Sequence, residues 1–305
     1  MSNSLTQTSG PKIRLGLVGL GKMGMLHWRT WQGVPDVSIT GVVDTNPAKA
    51  PWATVQGIPF FRTSEDLVGQ VDAVIIANPA DQHFACALPL LNAGIHCLIE
   101  KPIALSLEEA KQIVAAANHH GVILAIGHSE RFNPALRQVC DANGLLASTL
   151  EVFRMAPAAH PSDPFADVIQ DLMVHDIDWV LDAIGQLPVK FRVVDAHWLS
   201  NSLRHVCCEL GFAGGTQVTL TASCLASARR REVILHSAPG QTRSISLDLS
   251  MTCTGDDPLT RQAHAFLAAL RRMPSRIATG AAALRVMTLV EQIRADCQNT
   301  LVVAL

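Results

Sequence analysis

The first 128 residues of this chain alternate short apolar runs with segments that favour helix. The apolar runs predict five strands, at residues 13–18, 37–43, 73–77, 95–99 and 122–126. The segments between them predict helices at residues 24–32, 47–55, 82–92 and 107–118. Strands that are apolar along most of their length, each followed by a helix, are typical of a parallel sheet covered on both faces. We therefore expect a doubly wound α/β domain at residues 11–128.

The pattern changes after residue 128, where most strands follow one another without helices between them. Two helical segments at 133–141 and 170–184 precede predicted strands at 191–199, 203–212, 216–224, 232–236 and 242–247, and helices at 259–272 and 281–297 close the chain. Successive strands joined by turns such as Gly214-Gly215 predict a mostly antiparallel open sheet, so residues 129–305 should form an α+β domain. Because an open sheet needs cover on its outer face, we expect a homodimer or homotetramer.

Composition argues against several classes of partner. A net charge of −2 without a long basic run gives no reason to expect nucleic acid or an anionic membrane. No apolar run approaches the roughly 20 residues of a membrane helix, and residues 1–10 do not resemble a secretory signal, so we expect a cytoplasmic protein. The eight cysteines lack C-x-x-C spacing and are expected to be reduced. The twelve histidines form no H-x-x-x-H or H-E-x-x-H pair, so no metal site is predicted.

The turn after the first predicted strand carries a nucleotide-binding pattern. Gly19-Leu20-Gly21-Lys22-Met23-Gly24 matches G-x-G-x-x-G and opens the first predicted helix. Such glycines permit a tight turn and let the backbone approach a pyrophosphate, whose charge faces the helix N-terminus. Asp44 ends the second strand, where its carboxylate would bind ribose hydroxyls and repel a 2′-phosphate, so NAD is the predicted cofactor. If Asp44 only shapes the turn Asp44-Thr45-Asn46-Pro47, the choice between NAD and NADP stays open.

A lysine follows the fourth predicted strand, in Glu100-Lys101-Pro102. Ligands of open α/β sheets bind at the carboxyl ends of the strands, which is where this lysine lies. Pro102 has a fixed φ and restricts Lys101 to extended backbone conformations, so the lysine side chain is aimed rather than free. A cation held beside a nucleotide site suggests a chemical role for this lysine.

A second turn is predicted at the same edge of the sheet. Asn78-Pro79 follows the third strand and lies close to the expected path of the nicotinamide. His83 belongs to the next turn, where it is either a structural cap or a neighbour of the cofactor.

Asp171 and His175 lie four residues apart in a predicted helix and therefore share one face. A carboxylate beside an imidazole fixes the tautomer of the ring and raises its basicity, as a general base near neutral pH requires. An ordinary helical pair is the alternative. Asp176 and Asp178 point to other faces and are expected to be surface or capping residues. The chain has no tyrosine, which excludes dehydrogenases that use tyrosine as the proton donor.

Taken together, these motifs resemble the Gfo/Idh/MocA oxidoreductases, the family of glucose–fructose oxidoreductase and inositol dehydrogenase. The resemblance covers nearly the whole chain. It rests on the glycine pattern, Ala77-Asn78-Pro79 with His83, Glu100-Lys101-Pro102, the segment 171–175 and Asp257-Pro258-Leu259-Thr260. It implies an NAD-dependent dehydrogenase with a Rossmann domain, in which the lysine and the histidine flank a sugar hydroxyl at the nicotinamide.

Two longer strings, residues 127–134 and 171–178, resemble the branch of this family that oxidises UDP-N-acetylglucosamine at C3. This resemblance implies a UDP-sugar substrate and a keto product that a partner aminotransferase converts, towards 2,3-diamino sugars of the lipid A type. The implied substrate-binding residues are Lys101, Arg131, Asn133, Arg154, Asp171 and His175. Guanidinium groups suit a diphosphate, so Arg131, Arg154 and the Arg229–Arg231 cluster are its candidate partners, with surface ion pairs as the alternative.

The resemblance also implies a division of roles. His175 would remove the hydroxyl proton, Lys101 would stabilise the alkoxide, and Asp171 would orient His175. Lys101 is the alternative base if burial lowers its pKa. A dehydrogenase of a free sugar or inositol is the rival enzyme, and a metal hydrolase is more distant. A non-catalytic NAD-binding sensor is the rival of another class, although a sensor needs no proton acceptor.

Overall fold

The first part of the chain folds into a parallel sheet with helices on both faces. The computed structural model describes residues 12–141, 144–157, 167–238, 240–248 and 257–303. Strands β1–β6 are Ile13–Val18, Val37–Val43, Phe60–Phe61, Ala73–Ile76, His96–Glu100 and Leu124–Gly127. Helices α1–α4 are Lys22–Gln32, Ala50–Val55, His83–Asn92 and Leu107–His120. The strand order β3-β2-β1-β4-β5-β6 confirms the doubly wound prediction.

The alternation of side chains along these strands builds two separate cores. Val74 and Ile76 of β4 pack with helices α3 and α4 on one face of the sheet. Ala73 and Ile75 of the same strand pack on the other face with Trp28 and other residues of α1. Because both faces are buried, the strands are apolar throughout, which explains why the sequence predicted them so well.

A second, six-stranded sheet follows in the chain. Strands β7 (Cys140–Asp141) and β8 (Gly144–Leu145) form a small ribbon before it. The sheet contains β9–β14: Thr149–Met155, Lys190–Leu199, Ser202–Gly211, Gln217–Ser223, Arg230–Ala238 and Gln241–Ser246. Its order is β10-β11-β12-β9-β13-β14, and every pair is antiparallel except β12 with β9. The prediction of a mostly antiparallel sheet is confirmed.

Helices cover the inner face of this second sheet. Helix α5 (Val174–Ile184) and helix α7 (Gly280–Val303) pack on it and share one apolar core with its strands. The outer face keeps large apolar side chains in solvent, among them Val194 and Leu199 of β10. No helix in the described part of the chain is both long and apolar enough to span a membrane.

Late segments of the chain return to the first sheet. Helix α6 (Pro258–Leu270) packs on α1, where the rings of Phe266 and Trp31 meet edge to face at 6.2 Å. Strand β15 (Ala278–Thr279) then adds an antiparallel edge strand beside β6. Residues beyond position 129 therefore complete the first core. The predicted domain boundaries, 11–128 and 129–305, stay a prediction.

Several details differ from the sequence predictions. Residues 133–141 are not one helix, because a 3₁₀ turn at Pro134–Gln138 leads directly into β7. Strand β9 was not predicted: its inward positions alternate as Leu150, Val152 and Arg154, and the buried arginine hides the apolar pattern. The seven cysteines within the described residues are free thiols, and Cys253 lies outside them.

Candidate active site

A cleft of about 1460 Å³ opens at the carboxyl edge of the first sheet, where the chain leaves the neighbouring strands β1 and β4 towards opposite faces of the sheet. This is the switch point at which open α/β sheets bind ligands. The second sheet and the start of α5 form the opposite wall. The volume exceeds the roughly 300–1,000 Å³ of a pocket for one small ligand, so the cleft has room for a dinucleotide and a substrate together.

The glycine turn forms a cradle at one end of the cleft. Gly19 has a φ of +90°, and a Cβ on Gly24 would lie 1.8 Å from the Gly19 carbonyl oxygen, so both positions need glycine. Gly21 differs, because a Cβ there would meet nothing within 4 Å and would project from a residue that lines the cleft. Helix α1 begins at Lys22 without a side-chain cap, so its first N–H groups are available to an anion. These residues fit the pyrophosphate of a dinucleotide.

Asp44 closes the turn opposite the glycines. One carboxylate oxygen accepts a hydrogen bond from the Leu20 N–H at 2.8 Å, and the other accepts one from the Asn46 N–H at 2.8 Å. The side chain thus shapes its own turn, as the alternative interpretation expected, and it also lines the cleft. Arg62, which the sequence analysis missed, lines the same end and donates a hydrogen bond to the Thr45 carbonyl at 2.6 Å. The preference for NAD over NADP stays a prediction.

Lys101 bridges the two walls of the cleft. It lies directly after β5, and the Lys101–Pro102 peptide is cis. Its Nζ donates to the Asp171 backbone carbonyl at 2.8 Å and to the Asp171 carboxylate at 3.2 Å. The two side chains are 18% and 12% exposed, so this ion pair is only partly screened by water. The structure therefore brings the predicted lysine and aspartate together across the cleft.

His175 faces the cleft from the first turn of α5 and is half-buried. Burial holds the pKa of His175 well below 6.5, and the positive charges of Lys101, Arg154 and Arg231 add to this effect. At neutral pH the ring is therefore uncharged and able to accept a proton. Its Nδ1 has no hydrogen-bond partner among the described residues.

Asp171 lies in a π turn, Ile169–Met173, that precedes α5. A π turn closes its hydrogen bonds over five residues rather than four, so the segment is not the regular helix that the sequence predicted. Asp171 and His175 both line the cleft, and the Asp171 carboxylate contacts Lys101. The role of Asp171 in orienting His175 stays a prediction.

Glu100 and His83 make hydrogen bonds at this edge of the sheet. Glu100 is buried, and it accepts a hydrogen bond from His27 Nε2 at 2.7 Å. Burial alone would raise the pKa of Glu100, but the bond to His27 and the charge of Lys101 hold it below its usual value. The His83 ring lies between the carbonyl oxygens of Pro102, at 2.8 Å, and Asn78, at 3.0 Å. It joins the two loops and also lines the cleft with Asn78 and Pro79.

Arg131 and Arg154 form buried ion pairs with aspartates. Arg131 binds both oxygens of Asp178 at 2.6 and 2.7 Å and also reaches Asp182. Arg154 binds both oxygens of Asp176 at 2.7 Å. Asp176 and Asp178 are 2% and 0% exposed, so the expectation that they are surface or capping residues is wrong. The charges of both arginines are compensated within the protein.

Glu130 and Asn133 complete the network around Arg154. Glu130, which the sequence analysis did not single out, lies 3.1 Å from the Arg154 guanidinium. The Asn133 amide donates to Glu130 at 2.6 Å and to the Leu247 carbonyl at 3.0 Å. Both residues line the cleft, and a substrate-binding role for Asn133 stays a prediction. Within the described residues, no group of three or more His, Cys, Asp or Glu side chains is arranged to hold a metal ion.

Comparison with known proteins gives consistent results. A family model described as the Gfo/Idh/MocA oxidoreductase family with an NAD-binding Rossmann fold matches residues 13–128. The UDP-N-acetylglucosamine 3-dehydrogenase of Acidithiobacillus ferrooxidans is 34% identical over 212 residues, which cover 69% of this chain and 67% of that protein. The rhizopine catabolism protein MocA of Rhizobium meliloti is 32% identical over 60% of each chain.

Solved structures extend the likeness to both sheets. The structure of the Acidithiobacillus ferrooxidans enzyme, GnnA, superposes with a TM-score of 0.80 at 30% identity and covers 94% of this chain and 98% of its own. GenD2 from gentamicin A biosynthesis, solved in complex with NAD, also gives a TM-score of 0.80, over 96% of each chain. Its identity of 21% shows likeness of fold alone.

Two glycine variants separate cofactor binding from folding. Gly21→Ala should leave the free energy of unfolding within about 0.5 kcal/mol of wild type but weaken NAD binding at least about tenfold, because the new methyl occupies the approach of the pyrophosphate. Gly24→Ala should cost about 1–3 kcal/mol of stability, because its Cβ collides with a backbone oxygen. Urea unfolding and calorimetric titration with NAD measure both effects. Unchanged NAD affinity in Gly21→Ala would contradict the prediction that the glycine turn binds the pyrophosphate.

The acid limb of the pH profile should lie lower than an ordinary histidine would place it. A base must be uncharged to accept a proton, so activity falls as pH drops through its pKa. Because the pKa of His175 is lowered, kcat/KM should stay constant down to pH 6.5 and fall only below it. Initial rates across a pH series measure the limb. An acid limb centred at or above pH 6.5 would exclude His175 as the base.

Proposed function

Since the chain belongs to the Gfo/Idh/MocA oxidoreductase family, we propose that it is an NAD-dependent dehydrogenase that oxidises a UDP-sugar, specifically UDP-N-acetylglucosamine at C3. The observation that carries this proposal is that Lys101 and His175 line the same cleft at the carboxyl edge of a nucleotide-binding sheet. The likeness to the Acidithiobacillus ferrooxidans enzyme over both sheets supports the choice of substrate.

The cofactor would rest on Gly19, Gly21 and Gly24 with its adenosine ribose near Asp44, and when bound it supplies the hydride acceptor. His175 is uncharged and faces the cleft, so its imidazole takes the proton of the substrate hydroxyl. The Lys101 ammonium stabilises the negative charge that develops on the oxygen. The carboxylate of Asp171 holds this ammonium in place. Lys101 as the base stays the alternative.

The proposal extends to partners. Oxidation of the hydroxyl leaves a ketone, which an aminotransferase would convert to an amine in the next step. The second sheet would pair with a second copy of this chain through its outer face, where Val194 and Leu199 are 50% and 56% exposed. Apolar side chains on an open sheet are stabilised by such a contact.

A substrate panel tests the function directly. The purified protein with NAD should produce NADH on addition of UDP-N-acetylglucosamine, and much less with free N-acetylglucosamine, glucose or myo-inositol. Absorbance at the NADH band gives the rates, and mass spectrometry of the sugar product identifies the ketone. Turnover of inositol without turnover of any UDP-sugar would favour the rival dehydrogenase. Tight NAD binding without any turnover would favour a sensor.

Removal of the Lys101 amine should nearly abolish turnover. Lys101→Ala loses the group that stabilises the developing charge, so kcat should fall by about 10²–10³-fold or more while NAD affinity changes little. Lys111→Ala removes an exposed lysine from α4 and serves as the control, with activity close to wild type. Retention of most of the activity in Lys101→Ala would refute the proposed mechanism.

The oligomer can be checked by light scattering. A homodimer or homotetramer is expected, and Val194→Asp should dissociate it by placing a charge in the apolar contact. A monomer for the wild-type protein would contradict the pairing of the outer face.

A further inference from the structure

The inner face of the second sheet carries a row of side chains at the end that borders the cleft. Cys224 N–H donates to the Arg204 carbonyl at 2.9 Å, and Ala156 N–H donates to the Ser223 carbonyl at 2.8 Å, which aligns β11, β12 and β9. Arg231 of β13 lies directly opposite Arg154 of β9. The side chains of Arg204 and Arg231 both line the cleft.

Arg204 and Arg231 lie at diagonal positions on this surface. Strands β12 and β9 lie between β11 and β13, a span of about 14 Å at the usual strand spacing. At the end of the sheet these two strands present Cys224 and Ala156 to the cleft, in line with Arg204. Arg231 lies two residues further into the sheet beside Arg154, so the surface between the two guanidinium groups includes the Arg154 side chain.

Among the described residues, Arg204 and Arg231 form no ion pair with a carboxylate, and Arg204 Nε is buried without a hydrogen-bond partner. Burial and the positive charge of Arg154 lower the pKa of Arg231, although Glu130 opposes this. Partly buried cations without partners are unfavourable until an anion binds them.

The other basic residues of this region differ from these two. Arg229 is exposed and paired with Asp248 at 2.8 Å. Arg230 packs over the Phe153 ring at 3.6 Å and pairs with Glu232. Arg154 keeps one nitrogen without a partner and can offer a hydrogen bond, but its charge is balanced by Asp176 and Glu130.

From these contacts we infer that Arg204 and Arg231 bind the diphosphate of the nucleotide-sugar substrate across the surface formed by Cys224, Ala156 and Arg154. The inference rests on the proposed function, since it assigns a subsite within the same cleft. A diphosphate carries delocalised negative charge and accepts the paired N–H bonds of guanidinium groups. The pyrophosphate of the cofactor has its own cradle at the glycine turn, so two anionic groups bind at separate ends of the cleft.

Calorimetric titration of the NAD-saturated protein tests the assignment. The ligands are UDP, UMP and uridine, and the variants are Arg204→Gln and Arg231→Gln. Each variant should bind UDP about 10–100-fold more weakly, lose less affinity for UMP, and leave uridine binding unchanged, because each loses a charge-assisted contact to phosphate. In the steady state, KM for the UDP-sugar should rise more than kcat falls.

Two matched controls remove an arginine elsewhere on the same sheet. Arg230→Gln alters a neighbour of Arg231 that is engaged by Glu232 and Phe153, and Arg192→Gln alters an exposed arginine of β10 that is paired with Glu209. Both should bind UDP as the wild type does. If a glutamine variant fails to fold, Arg204→Lys and Arg231→Lys retain the charge without the paired donors and should lose a smaller part of the UDP affinity.

The outcomes separate this inference from the proposed function. If the protein oxidises UDP-N-acetylglucosamine but both glutamine variants bind UDP with wild-type affinity, the arginine assignment is wrong and the function stands. If the wild-type protein binds no UDP and oxidises a free sugar, both are wrong. Equal losses in the variants and in the two controls would indicate a general effect of charge and would also overturn the assignment.

Discussion

The position of His175 depends on two buried ion pairs that anchor helix α5. Asp176 and Asp178 project from the first turns of this helix to Arg154 of the second sheet and to Arg131 in the loop after β6. Buried ion pairs add little net stability, because desolvation offsets their attraction, but removal of one partner costs about 3–5 kcal/mol. They therefore fix where the helix lies. His175 directly precedes Asp176 in this helix and lines the cleft, so the ion pairs also fix where its side chain lies.

The cleft beside this helix contains charged side chains with ion-pair partners and others without. Carboxylates of Glu100, Asp171 and Glu130 lie beside Lys101 or Arg154, while Arg204 and Arg231 lack such partners among the described residues. Burial, and to a smaller extent this positive field, lowers the pKa of His175 and keeps its imidazole uncharged. The same positive field would stabilise both an alkoxide and a phosphate group. One electrostatic environment thus serves base, oxyanion and substrate.

The sequence predicts five strands of the first sheet to within two residues, because strands buried on both faces are apolar along their length. The two-residue strands β3 and β15 are too short to give such a pattern and were not predicted. The glycine turn and Lys101 could also be placed, since their positions follow from strand ends. The partners of Arg131 and Arg154 could not be predicted, because pairing is long range: Arg154 is 22 residues from Asp176, and nothing local indicates which carboxylate a guanidinium will meet. The π turn at Asp171 was hidden for a similar reason, as a single extra residue in a helix leaves the apolar pattern almost unchanged.

The return of α6 and β15 to the first sheet has a consequence for how the chain is made. Phe266 and Ala278 are fully or almost fully buried against elements formed by the first 128 residues. A ribosome must therefore synthesise most of the polypeptide before the nucleotide-binding half can close its core. Contacts between such distant segments slow folding, because a long loop must be ordered before they form. The core of the first sheet thus depends on residues that are synthesised more than 100 positions after its last parallel strand, β6.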